Sequence, residues 1–198
     1  MKRFSIFILL ASISVFSQEE KVLTSLEFQQ NLNIEFADSL KSPLSEEDRL
    51  HFKALDFFAI NAYYIVEVTF IRTKKEKNFQ MKTSTDRTSI YRKYGELHFK
   101  IDGIEMQLNV YQNIELSRRK GFQDYLFLPF SDLTNGKETY VGGRYLDMKI
   151  PKEDKVSIDF NKAYNPYCAY NYKYSCPIVP LENNLNIAIN AGVKKFQD

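Results

Sequence analysis

The sequence predicts a mainly β fold: an antiparallel β-barrel or barrel-like sandwich with two N-terminal helices. Three observations carry this expectation. From Tyr63 onward, apolar and polar residues alternate with a period of two, the pattern of half-buried strands. Asp102-Gly103 separates two such runs, and Asp-Gly suits the positive φ angles of a tight hairpin turn. Before Tyr63 the period is different: Phe28, Leu32, Phe36 and Leu40 recur every four residues and stack on one helix face.

The elements follow in chain order. The first helix carries Phe28 to Leu40 and ends at Ser42-Pro43, because proline pushes the preceding residue out of helical geometry. Ser45 then reads as an N-cap, with Glu46, Glu47 and Asp48 at the positive end of a short second helix that runs to Leu55. Val66, Val68 and Phe70 mark the first strand, and Phe79, Met81 and Thr83 the next. Leu97, Phe99 and Ile101 precede the Asp-Gly turn; Ile104, Met106, Leu108 and Val110 follow it. Further strands are expected at Tyr125 to Phe130, Gly143 to Ile150, Lys155 to Asp159 and Leu185 to Ala191. Pro151 to Asp154 reads as a tight link that pairs two of them antiparallel.

Residues 1–17 have the layout of a secretory signal peptide. Lys2 and Arg3 open it, a short apolar run follows from Phe4 to Val15, and Ser17 precedes a cut that leaves Gln18 first. The run is short of the roughly 20 residues a membrane span needs. The expected product is exported, periplasmic or secreted, with one β-rich domain over residues 18–198 and no later span. Removing Lys2 and Arg3 leaves 25 basic against 25 acidic residues, so the basic excess belongs to the leader. A nucleic-acid partner, which calls for a basic face, is not expected.

The chemistry-bearing residues collect in two places. Gly142-Gly143-Arg144-Tyr145-Leu146-Asp147 opens one strand, and Asp159, Asn161, Tyr164 and Asn165 lead out of another. The tight link at Pro151 to Asp154 would bring them together. Arg144, a planar fork suited to a carboxylate or phosphate, would then stand with Asp147, Asp159, Asn161, Tyr164 and Asn165 in a ligand site. The competing reading makes Arg144 with Asp159 or Asp147 a buried ion pair, and Asn161 and Asn165 ties for the loop. The segment Asp159–Pro180 also holds both cysteines. Cys168 and Cys176 form an even pair in an exported chain, which points to a disulfide closing a short loop. Two cysteines with His51 and His98 would suffice by number for zinc, but their spacing does not support a metal site. No cofactor fingerprint is present.

Long stretches resemble a known family. These include "TNGKETY", "DFNKAYNP" and "IYRKYGELHFKI". From about Ser42 to Gly192 the chain resembles the bacterial and archaeal family known as domain of unknown function 1684. The resemblance implies a shared domain. It implies no activity, catalytic residue or cofactor. The residues themselves favour a non-catalytic module that takes a small polar ligand. The alternative is an enzyme: a hydrolase using Asp147 with Asp159, or a thiol enzyme using Cys168.

Overall fold

A computed structural model describes residues 23–196; the expected leader at residues 1–17 lies outside them. The fold is mainly β. Seven strands form one antiparallel sheet that curls into a half-barrel, accompanied by two helices. The strands are β1 (Ile65–Arg72), β2 (Asn78–Met81), β3 (Ser89–Ile101), β4 (Ile104–Asn113), β5 (Tyr125–Phe130), β6 (Arg144–Lys149) and β7 (Lys155–Asp159). The order across the sheet is β6-β5-β4-β3-β1-β7, with β2 paired to β3 beside this path.

Helix α1 (Ser25–Ala37) starts at a capping box in which Thr24 and Glu27 satisfy each other's backbone N–H groups. It stops before Leu40, which lies in a turn and is 93% exposed. The physical reason is Asp38, whose carboxylate accepts the Leu40 N–H at 2.8 Å and so competes with the helix. Helix α2 (Glu46–His51) has the expected cap, with Ser45 accepting from the Asp48 N–H. It ends at His51 rather than Leu55, because the Leu55 N–H docks on Asn33 of α1 at 2.7 Å. Phe36, Leu44, Leu55, Tyr170 and Val193 form a cluster beneath the helices.

The β3–β4 hairpin turns at Asp102 and Gly103, both with positive φ (53° and 76°), the geometry of a type I′ turn. Farther down the same pair, a bulge interrupts the register between Lys93 and Gly95. A bulge shifts a strand by one residue and so exchanges its faces. Beyond it, Leu97 and Phe99 join the main core with Leu108, Val110, Leu126, Leu128 and Phe130. Before it, Tyr91 joins a separate aromatic cluster with Tyr111, Phe127 and Tyr145. The sheet thus has two apolar faces. The inner one fills the half-barrel, and the segment after β7 covers the outer one.

The link after β6 does not make a hairpin. β6 pairs with β5 and β7 with β1, so these strands are the two edges of the sheet. The link is drawn apart at its ends: the Ile150 N–H donates to Asp124, while the Asp154 carbonyl accepts from Phe70 on β1. The open seam between β6 and β7 is a groove of about 620 Å³, flanked by α1. The start of β6 nonetheless meets the chain beyond β7, through a two-way backbone bridge between Tyr145 and Tyr164.

The segment at Leu185 to Ala191 is buried in part but is not a strand. Its carbonyls have a different partner. The Arg144 guanidinium, fully buried, donates to the carbonyls of Ile189 (2.8 Å) and Ala191 and to the Asp132 carboxylate at 2.8 Å. The ion-pair partner is therefore Asp132, not Asp147 or Asp159. Asp132 is held in turn by the backbone N–H and the hydroxyl of Thr134. Gly143 precedes Arg144 at φ 88°, where a Cβ would come within 2.7 Å of the Phe130 carbonyl; the close approach is to the neighbouring strand. Arg144→Ala is expected to cost about 3–5 kcal/mol by leaving Asp132 buried and unpaired, read as a lower urea midpoint. The double variant Arg144→Met/Asp132→Leu should recover most of that loss; a single variant within about 1 kcal/mol of wild type would contradict this role.

Candidate functional site

The segment after β7 does not lie flat on the outer face of the sheet. Between them a cleft of about 410 Å³ remains. Its floor is Tyr91, Phe127 and Tyr145, projecting from β3, β5 and β6. Phe28, Leu32 and Glu35 of α1 make one wall, and Tyr164, Tyr167, Cys176 and Pro177 make the other. The rings meet edge to face: Phe127 and Tyr145 at 4.6 Å and 75°, Tyr145 and Tyr164 at 5.9 Å and 89°. Edge-to-face packing turns successive ring faces by a right angle, which leaves a box rather than a slab.

One carboxylate stands in this box. Asp147 Oδ1 accepts hydrogen bonds from the hydroxyls of Tyr125 (2.7 Å) and Tyr164 (2.6 Å). Asp147 is accessible to solvent and yet closely surrounded by protein atoms, as a group in a concavity can be. Burial raises its pKa; the two phenol donors oppose the rise without cancelling it. Burial likewise raises the pKa of Tyr125 and Tyr164, with the Asp147 charge adding to it, so both remain protonated donors. A second carboxylate, Glu35, accepts from the Tyr167 hydroxyl at 3.0 Å.

The expected site residues fall into separate groups. Asp147 and Tyr164 are joined by a hydrogen bond in the cleft. Arg144, next but two along β6, points into the core. Asp159 and Asp147 both line the seam groove. The oxygens of Asp159 are already engaged: Oδ1 takes the backbone and side-chain N–H groups of Asn161, and Oδ2 takes the Ser25 hydroxyl at 2.7 Å. Asn161, fully buried, also binds the backbone of Asn61 and accepts Gln29 on its carbonyl, tying α1 to the sheet. Asn165 donates to the Lys194 carbonyl. Sequence reasoning missed Tyr91, Tyr125 and Tyr145. The available signal was the unbroken apolar run of β5, which calls for burial on both faces: Leu126, Leu128 and Phe130 face the core, so Tyr125 and Phe127 face the other way.

Cys168 and Cys176 are neighbours, with the Cys168 N–H donating to Cys176 Sγ at 3.2 Å, but no S–S bond joins them in this structure. The Cys168 thiol is lowered to about 6, chiefly by the hydrogen bond from Cys176, and Cys176 is raised in return. His51 bonds within α2 and His98 pairs with Glu96 on β3. Among the described residues, no group of three or more His, Cys, Asp or Glu side chains is arranged to hold a metal ion. Nor, among the described residues, is any helix long and apolar enough to cross a membrane.

A curled antiparallel sheet with an aromatic cleft on its outer face places this chain among the mainly β proteins. Its residues 50–194 match the family model described as "Protein of unknown function (DUF1684)", and the chain belongs to that family. It is similar to an uncharacterised protein of Haloarcula marismortui solved by solution NMR. The two are 33% identical with a TM-score of 0.65, over 84% of this chain and 89% of the other. No curated protein matches the sequence.

Two predictions come from this geometry. Because the folded protein holds the Asp147 proton to higher pH than the unfolded chain, it binds more protons in between. Stability from this group therefore falls as pH rises from the unfolded value through the folded one. Asp147→Asn keeps an oxygen for both tyrosines and removes the charge. It should raise the melting temperature at pH 7 by about 2–4 °C, roughly 1 kcal/mol for a chain of this length, with solvent access keeping the gain small. The gap should narrow toward pH 4, and a lower melting temperature at pH 7 would overturn the assignment. The second concerns the thiols. Iodoacetamide near neutral pH should label half-buried Cys168 before buried Cys176, and Cys176→Ala should move the pH midpoint of that labelling up toward the ordinary thiol value near 8.5.

Proposed function

We propose that this protein is an exported, non-catalytic module that binds a small ligand in the cleft between the outer face of the sheet and the segment after β7. The observation that carries this reading is Asp147: an accessible carboxylate at the foot of an aromatic box, oriented by two tyrosine hydroxyls. Sites for small molecules are commonly concave and apolar, with a few placed polar groups. The signal-like leader supports export to the periplasm or beyond. In that compartment the adjacent thiols of Cys168 and Cys176 are suited to oxidation by exchange with an external disulfide, which takes up the two electrons and two protons and leaves as a dithiol; the new bond would stiffen the wall that carries Cys176.

Binding is favoured over carboxylate-pair hydrolysis because Asp159 is occupied as a structural acceptor for Ser25 and Asn161. A thiol enzyme is the second reading, favoured by the lowered Cys168 thiol and the Tyr140 hydroxyl 3.9 Å from its sulfur. The test is a ligand-observed NMR fragment screen followed by amide mapping. Hits should move the amides of Tyr125, Tyr145, Asp147 and Tyr164, and Asp147→Ala should weaken them at least tenfold without loss of β structure. Hits that leave those amides still, or a Cys168→Ala variant that abolishes binding while Asp147→Ala does not, would move the site to the thiol pair.

A further inference from the structure

The cleft is unbalanced in charge. Asp147 and Glu35 line it, and among the described residues no lysine, arginine or histidine does. The seam groove on the other side of β6 is different: Lys149 and Lys162 stand there beside its acids. The walls of the cleft add to the imbalance, because the face of an aromatic ring is the negative end of its quadrupole. Tyr91, Tyr145 and Tyr164 line the cleft around one carboxylate, and the tyrosine hydroxyls that reach Asp147 are neutral donors that fix its orientation without cancelling its charge.

The geometry points to an organic cation as the ligand of this cleft: a quaternary or protonated ammonium seated among Tyr91, Tyr145 and Tyr164 against the Asp147 carboxylate. This rests on the reading of the cleft as the binding site and adds the chemical class of its ligand. A metal ion is a poor fit. Hard cations need several oxygens to replace their water, and ring faces cannot supply them. An ammonium with an apolar skin sheds water easily and gains from ring faces and carboxylate together. A bound cation would also supply a countercharge to Asp147, and so draw its proton off.

The test uses three probes of one shape on the purified protein: choline, its uncharged analogue 3,3-dimethylbutan-1-ol, and the anion 3,3-dimethylbutanoate, each titrated while amide shifts are followed by NMR. Choline should saturate shifts at Tyr145, Asp147 and Tyr164, the alcohol should bind at least tenfold more weakly, and the anion should not bind. Asp147→Asn should weaken choline at least tenfold and leave the alcohol unchanged. If that variant does not fold, Glu35→Gln on the opposite wall should weaken choline severalfold. Equal affinity for the alcohol, binding of the anion, or silence of all three probes would overturn the cationic assignment. The cleft reading falls separately, if the fragment screen is silent as well or its hits leave the cleft amides still.

Discussion

The architecture depends on one buried charge pair. Arg144 and Asp132, both without side-chain exposure, meet at 2.8 Å inside the protein. A guanidinium taken out of water is costly unless its donors and its partner's oxygens are matched. Here the two terminal nitrogens are matched, though Nε is not, and that matching recruits two irregular segments. The loop after β5 presents Asp132 through the Thr134 hydroxyl and N–H, with Thr134 leaning on Thr139. The C-terminal stretch brings the Ile189 and Ala191 carbonyls. Both segments are ordered without secondary structure of their own, and Arg144 anchors each to the same point of β6.

That anchorage also fixes the cleft. β6 carries Arg144 toward the core and Tyr145 and Asp147 toward the outer face. The Tyr145–Tyr164 backbone bridge then holds the covering segment at a set distance from the floor. Asp159 and Asn161 do the same from the other side, through Ser25 and Gln29 of α1. The residues suspected of binding a ligand from sequence divide accordingly. Some hold the frame, and Asp147 and Tyr164 face the space the frame encloses.

The legible features were those written in local periodicity or turn chemistry. Asp102-Gly103 marked the hairpin because few other pairs tolerate two positive φ angles. Ser45 marked its helix, and the alternating runs marked β1, β2, β3 and β4. Features set by distant partners were not legible. Nothing around Leu185 to Ala191 says that its carbonyls go to a guanidinium more than forty residues away. Nothing in Pro151 to Asp154 says that its two ends bond to different strands. For the cleft, Asp147 and Tyr164 stood out as polar residues near strand ends. The floor tyrosines did not, because a tyrosine in a strand looks the same whether it packs in a core or lines a site.

The bulge at Lys93–Gly95 has a consequence for how such a protein can be altered. A single long strand serves the load-carrying interior on one side of the bulge and the cleft on the other. The two uses share a backbone but not side chains. Ring size, hydroxyl content and charge around the cleft can therefore be changed residue by residue while the packing of the half-barrel is left alone. The lining can in this way be refitted on one scaffold, as a chassis accepts different fittings.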